Sequence, residues 1–404
     1  MRVLITTPPG YSGFNATHTL ASGLRAAGHQ VAYATARSFT AKIEQAGYPA
    51  FGAGPDYDLS VPDSIPGIHE ATGHGAGLAV FARLALLDGA VDDMAAVIRQ
   101  WRPDLVVRSY IEFGSWIAAE QLGVPLAFMS PGALDLPAAL LATFSGDVLT
   151  KELPERHGLP HDPGLQRLYS YPYLNTMPAA VTPPGFPLPP TAFRYRDRAF
   201  EPVAVEGLPD WVADLGERPV VHASVGTVFS ATGEGKRLHE LVLEALRDEE
   251  VDLVMSIGPR GDPDSYGPQP PGTRIVRHIA AHRAFLDYCD VLVTHGGAGT
   301  SLLAIAARLP ACFLPMHADQ PILAKRLADL GAGVIAGSGP DDPRPFPAVD
   351  VATLRPQDVR DSVRLLLTER SFQLTMAGLA RQGRAYPPVS DAVRWLEDKA
   401  AHAT

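Results

Sequence analysis

Between Val291 and Gln320 the chain reads VLVTHGGAGTSLLAIAARLPACFLPMHADQ, an order of residue types that suits a phosphate-bearing ligand. An apolar run, Val291 to Thr294, has the composition of a strand and ends in His295. Gly296, Gly297 and Gly299 then form a turn, and a helical pattern follows from about Thr300 to Arg308. Such a turn exposes backbone N–H groups at the positive end of a helix dipole, where an anion is held. A second apolar run, Ala311 to Leu314, leads to Asp319 and Gln320, whose side chains can reach a sugar beyond the phosphates. Phosphate first and sugar hydroxyls next is the layout of a nucleotide-sugar site.

The elements that position these residues alternate between strand and helix. Val3 to Thr6 is a short β-rich run, and Asn15 to Ala27 carries Leu20, Leu24 and Ala27 as one helical stripe closed by Gly28. Val31 to Thr35, Asp104 to Val107 and Leu126 to Met129 read as further strands, with a helix around Trp116 to Gln121. A proline-rich stretch, Pro178 to Pro190, marks the boundary, because proline is too stiff and donor-poor for a sheet interior. From Pro219 the alternation restarts through VVHAS, a helix near Leu238 to Arg247, VDLVMSIG, RIVRHI, VLVTH, ACFLP and GVIAG. Repeated strand–helix units predict mostly parallel sheets covered on both faces. The segment Gly52 to Gly77 reads as an irregular loop holding His69 and His74.

A chain of 404 residues exceeds what one core supports, so two domains are expected. At 46% hydrophobic and 19% charged it has the composition of an ordinary globular protein, and a net charge of −10 argues against a nucleic-acid partner. Cys289 and Cys312 lie in apolar context without metal spacing and read as buried thiols. Met1 to Thr7 is too short for a signal peptide, and no apolar run reaches the roughly 18 residues of a membrane span, which predicts a cytoplasmic protein.

HGGAGT followed nineteen positions after Thr300 by DQ resembles the donor-binding signature of nucleotide-sugar glycosyltransferases, and most closely that of bacterial enzymes that attach deoxysugars to natural products. MRVLITTPPG, LASGLRAAGHQVAYAT, PDLVVRSYIEFGSWIAAEQLGVP and VVHASVGT are similar to successive segments of the same family. The resemblance implies the GT-B fold: two Rossmann-like α/β domains facing across a cleft. Residues 1–200 would bind the acceptor and 201–386 the nucleotide sugar, with a C-terminal helix in 387–404 packing back on the first domain. It implies that His295 bonds the donor diphosphate, with backbone N–H groups of Gly297, Ala298, Gly299 and Thr300 beside it. Ser224 and Thr227 would be further phosphate contacts, and Asp319 and Gln320 would hold sugar hydroxyls. His278 would stack on the base while the backbone of Ile279 pairs with its edge. Leu303 stands where plant relatives place a ribose-binding glutamate, which favours dTDP over UDP. The implied reaction is an inverting, metal-independent displacement with no cofactor, in which dTDP-sugar is a co-substrate. Aromatic and apolar residues of Pro131 to Tyr173 would line the pocket of a bulky, polyketide-like aglycone.

The reacting end departs from this pattern. Gly13 occupies the position where relatives carry His or Asp to take the acceptor's proton, a group worth about 10²–10⁴ in rate. His18 and Glu112 are the nearest substitutes, with His69 and His74 behind them. Leu323 replaces a usual Asn, and Arg308 a common glycine. Another residue serving as base, an acceptor needing none, and a non-catalytic auxiliary protein that kept the fold all stay open here. An epimerase on the same fold is disfavoured by the acceptor-domain likeness. Whether the chain forms a homodimer is not legible.

Overall fold

Short runs of β-branched and aliphatic residues bounded by glycine or polar turns become buried parallel strands. The computed structural model describes residues 1–66, 88–130, 132, 148–202, 207–226, 228–279, 281–339, 344 and 347–402. These form two units. One comprises Met1–Met177, Pro184–Asp197 and Tyr386–Thr404, the other Pro178–Pro183 and Arg198–Ala385.

The first unit is built on a seven-stranded sheet: β1 (Arg2–Thr6), β2 (Gln30–Thr35), β3 (Ala50–Gly52), β4 (Leu105–Ser109), β5 (Leu126–Met129), β6 (Tyr173–Asn175) and β7 (Ala192–Arg194). The order is β3-β2-β1-β4-β5-β6-β7 with every pairing parallel, Val3 facing Leu105 and Val106 facing Leu126. Its helices are α1 (Tyr11–Ala26), α2 (Arg37–Gln45), α3 (Asp88–Trp101), α4 (Gly114–Leu122) and the single turn α5 (Leu153–Arg156). The strands β4 and β5 are buried throughout and β1 from Val3 onward, as expected for a sheet covered on both faces.

The second unit carries β8 (Val220–Ser224), β9 (Asp252–Ser256), β10 (Thr273–Val276), β11 (Val291–Thr294), β12 (Ala311–Phe313) and β13 (Gly333–Ile335) in the parallel order β10-β9-β8-β11-β12-β13. Its helices are α6 (Gly233–Leu246), α7 (His282–Phe285), α8 (Ala298–Ala307), α9 (Gln320–Asp329), α10 (Pro356–Thr368) and α11 (Arg370–Arg384). Leu238, Val242 and Leu246 of α6 and Val359, Val363 and Leu366 of α10 pack into one core with Val221, Leu253 and Val293. In both sheets the winding direction reverses, between β1 and β4 and between β8 and β11, and ligands of open α/β sheets bind beyond the strand ends at such points.

The proline-rich stretch is divided between the units, Pro178–Pro183 going with the second and Pro184–Pro190 with the first. It spans the return from β6 to β7, two strands of the same sheet, where a parallel crossover needs a dozen or more residues. The last helix, α12 (Val389–His402), lays Ala392, Val393 and Leu396 into the core of the first unit, and Trp395 stacks on Phe193 at 5.1 Å. Gly23 of α1 permits this, since a Cβ there would lie 2.7 Å from Val389 Cγ2. Both cysteines are free thiols; Cys312 is fully buried and pushed up to about 12 by that burial. Among the described residues no helix is long and apolar enough to cross a membrane.

Arg308 follows α8 as its C-cap with φ 63°, ψ 31°. This left-handed position is the one glycine fills without cost. Arg308→Gly is therefore expected to stabilise the protein by about 0.5–1 kcal/mol. The measurement is the urea midpoint, which rises at unchanged slope; a lower midpoint would mean that the arginine side chain contributes more than its backbone strain costs.

Candidate active site

In the second unit the switch point brings together the ends of β8 and β11, with Ser224 in register with Thr294. His295 leaves β11 there, half-buried, its Nδ1 3.3 Å from Thr294 Oγ1 and its ring against the Ser224 backbone carbonyl. The imidazole lies in a slot that two glycines leave open. A Cβ on Gly226 would stand 2.6 Å from His295 Cε1, and one on Gly297 2.6 Å from Nε2. Gly226 and Gly296 also hold left-handed backbone, φ 81° and 80°. Burial pushes the His295 pKa down to about 4, so the ring is neutral at physiological pH and able to donate or accept a hydrogen bond.

Helix α8 begins directly after this slot. Gly297 is its N-cap without a side-chain cap bond, and Ser301 N is the first amide to return to Gly297 O. The amides of Ala298, Gly299 and Thr300 thus belong to the unpaired first turn. One of them is engaged: the Asp319 carboxylate accepts from Ala298 N–H. Burial nevertheless raises the Asp319 pKa to about 6. This bond joins Ala298, expected from the sequence to contact phosphate, to Asp319, expected to contact the sugar.

Gln320 serves a different purpose from Asp319. It is buried, and its Oε1 accepts from Met316 N at 3.0 Å and His317 N at 3.1 Å, closing the turn that precedes α9. The sequence reading missed this brace. His317 was also missed: its ring packs on Phe229 with centroids 5.2 Å apart, and its Nε2 lies 3.1 Å from Glu234 Oε2. His278 is exposed, whereas the Ile279 side chain is buried with Val212, Val254 and Phe285, which leaves only its backbone for an edge contact. Beneath them His222 Nδ1 lies 2.9 Å from the Val254 carbonyl and its Nε2 3.1 Å from His282 Nε2. Burial lowers both, to about 4 and about 3, so the pair is neutral and shares one proton between its facing nitrogens. Sixty residues separate the two histidines, so no local pattern announces them. Leu303 is half-buried on α8, and Leu323 is buried in α9. Thr227 lies outside the described residues.

In the first unit the corresponding switch point holds Thr6 and Glu112. Glu112 Oε2 accepts from Thr6 Oγ1 at 2.7 Å and from the Ser115 hydroxyl, and Oε1 accepts from Ser115 N at 3.1 Å. Three donors on a carboxylate with about four lone-pair sites leave one direction open. Tyr57, buried nearby, is held protonated by its burial and by the Glu112 charge. The preceding Ile111 has φ 49°, a strained conformation for a β-branched residue, and it turns Glu112 back toward β1.

His18 is not beside this cluster. Its ring stands edge-on to Phe14 at 5.5 Å and Tyr48 at 5.9 Å, with Nδ1 3.3 Å from Ser22 Oγ, which makes it a wall residue of the α1 surface. The helical register explains the separation, because five residues turn the chain by about 500°, well off the Gly13 face. Gly13 itself is buried, and a Cβ on it would fall on the Thr7 hydroxyl. Thr7 therefore fills the space that a side chain at position 13 would need. Tyr169 and Tyr173, expected to line an acceptor pocket, are buried against each other and, for Tyr169, against Phe128. They belong to the core; residues 131 and 133–147, together with His69 and His74, lie outside the described residues.

Comparison with known proteins supplies an independent view. Residues 22–211 and 240–397 match the N-terminal and C-terminal domains described as erythromycin biosynthesis protein CIII-like. The 10-deoxymethynolide desosaminyltransferase of Streptomyces venezuelae is 27% identical, over 99% of this chain and 97% of its own. The 4'-demethylrebeccamycin synthase of Lentzea aerocolonigenes is 26% identical, over 98% and 99%. Among solved structures, the glycosyltransferase SnogD from Streptomyces nogalater superposes with a TM-score of 0.73 at 26% identity, covering 99% of both chains. The glycosyltransferase VinC, solved in complex with dTDP, shares the fold at a TM-score of 0.74 and 24% identity.

Four histidines of the second unit, His222, His239, His282 and His295, are depressed from 6.5 to between about 3 and about 4, each chiefly by burial. A base whose folded pKa is lowered stabilises the fold above its unfolded pKa, and that stability drains away as pH falls from about 6.5 through about 4. Asp319, raised to about 6, acts in the opposite sense, favouring the fold below that pH, but it is one group against four. The second unit is thus expected to lose thermal stability steeply between pH 6.5 and 4 in a scanning-calorimetry series. A flat profile over that window would contradict the neutral, buried histidines.

Proposed function

For this chain, which belongs to the erythromycin biosynthesis protein CIII-like family of bacterial natural-product glycosyltransferases, we propose transfer of a deoxysugar from its dTDP conjugate to a polyketide-like aglycone. The observation that carries the proposal is His295 in its two-glycine slot, set against the open first turn of α8 and the Asp319 carboxylate. An acceptor nucleophile attacks the anomeric carbon of an α-linked donor. The bond from that carbon to the diphosphate oxygen breaks, and a β-linked product and dTDP result. Charge growing on the leaving diphosphate meets the amides of Gly299 and Thr300, donors already oriented and requiring no metal ion, and the one N–H of neutral His295 as it exchanges the Ser224 carbonyl for the diphosphate. Asp319 accepts from sugar hydroxyls. Ser224 holds His295 in place through its carbonyl. His278 covers the base, and the apolar Leu303 suits deoxyribose better than a 2′-hydroxyl. The reaction takes place in the cytoplasm, where nucleotide sugars are made.

Among the described residues, Glu112 is the group best suited to take the acceptor proton, through the one lone-pair direction that Thr6 and Ser115 leave free. The second reading, an auxiliary protein without turnover, draws on Leu323 and on Gly13, the position where the resemblance expects a base, beside which the Thr7 hydroxyl fills the space of a side chain.

Two measurements separate these. A hundredfold excess of dTDP over its Kd should stabilise the second unit by about 2.7 kcal/mol, more than the same concentration of UDP does. Equal shifts would remove the deoxyribose argument, and the absence of both would remove the donor site. Glu112→Gln should lower kcat by about 10²-fold with dTDP affinity intact. Unchanged kcat would take the proton transfer away from Glu112, and a wild-type protein that never turns over would favour the auxiliary reading.

A further inference from the structure

Fifteen of the twenty described residues with positive φ are glycines, which pay no steric cost there. The other five are Arg102, Ile111, Leu165, Arg308 and Ala318. Arg102 and Arg308 directly follow helices α3 and α8, where a left-handed residue ends a helix. Leu165 lies in a turn whose Asp162 carboxylate accepts from Gln166 N, Arg167 N and Leu168 N. Ala318, with φ 57°, has no such helix to end: it precedes α9, and the residue after it is Asp319.

The turn around Ala318 is fixed on both sides. Upstream, Leu314 N donates to Thr294 O at 2.7 Å, Gln320 Oε1 clasps Met316 N and His317 N, and the His317 ring rests on Phe229. Downstream, Gln320 N donates to His317 O at 3.2 Å, and Leu323 N to Asp319 O at 3.0 Å, starting α9. With both flanks held, the direction of the Asp319 side chain depends on the dihedrals of the single residue between them. The left-handed conformation sends the carboxylate to Ala298 N–H at the head of α8. An alanine held there has few alternatives, whereas a glycine would fit with less strain and also visit the mirror and extended regions.

We infer that Ala318 is a positioning residue: its strained left-handed backbone aims Asp319 at the donor sugar, and alanine rather than glycine is what narrows that aim. This rests on the proposed assignment of Asp319 to the sugar. Backbone strain of this kind persists where the surroundings over-determine it, as the clasp of Gln320 does here.

The test compares Ala318→Gly, Ala318→Asn and Ala318→Val with the wild type in melting temperature, Kd for dTDP, and kcat with a dTDP-deoxysugar donor. A role in local stability alone predicts that relieving strain with glycine leaves kcat unchanged. The inference predicts instead that Ala318→Gly melts at or above the wild type and binds dTDP within about twofold. Its kcat should nevertheless fall roughly tenfold or more, since misplacement of a positioning group by about 1 Å can cost 10²-fold. Ala318→Asn should recover most of that loss, because Asn tolerates left-handed backbone while keeping a Cβ. Ala318→Val should lose both stability and rate. A glycine variant with kcat within about twofold of an active wild type would overturn the inference and leave the proposed reaction standing. A loss of kcat matched by equal loss of melting temperature or dTDP affinity in the glycine variant would overturn it too. A wild type that binds dTDP but transfers from no donor would overturn the proposed reaction and this inference together.

Discussion

The candidate donor site depends on an absence of side chains. His295 occupies the space that a Cβ on Gly226 or Gly297 would take, so the two residues bracketing it are as constrained as the histidine itself. Once the ring is seated there, it blocks solvent on one side and stands at the head of α8 on the other. Its low pKa follows from that seat rather than from any partner charge. Asp319, reaching the same helix end from β12, inherits a raised pKa from the same crowding. One steric fact thus sets both the geometry and the charge state of the groups at the head of α8.

Much of this was legible because the signals are local. A strand, a glycine turn and a helix occur within sixteen residues of Val291, and the aliphatic runs of β1, β4, β5, β8 and β11 stand out from their surroundings. What stayed hidden needs either distance or dihedral angles to see. β6 and β7 are three-residue strands flanking prolines, too short for periodicity to register. The His222–His282 pair is made by folding, and the clasp of Gln320 on the amides before it is invisible in a dipeptide that reads as two similar polar residues. The tyrosines of β6 and the segment before it looked like pocket lining because aromatic composition does not distinguish a cavity wall from a core.

The first unit illustrates how a missing side chain changes its neighbours. Gly13 allows the turn after β1 to press the Thr7 hydroxyl against α1. Glu112 is held by donors from β1 and α4 at once, so its orientation is set by the sheet and helix together. The strained Ile111 is the counterpart of Ala318: in each unit a left-handed residue directly precedes the carboxylate at the switch point. The parallel arises from topology, since a chain leaving a parallel strand must reverse within a few residues to present a side chain back at the strand ends.

The last helix gives the molecule an order of assembly. Ala392, Val393 and Leu396 of α12 are part of the core around β1 and α1, although they are separated from those elements by nearly the whole length of the chain. The second unit, by contrast, is almost contiguous, from Arg198 to Ala385. On a ribosome the first unit emerges first but lacks a wall of its core, leaving Leu20, Leu24 and Phe193 partly uncovered until α12 has been made. The usual sequence in which N-terminal domains mature ahead of the rest is inverted. The second unit can close while the nascent chain still waits for α12.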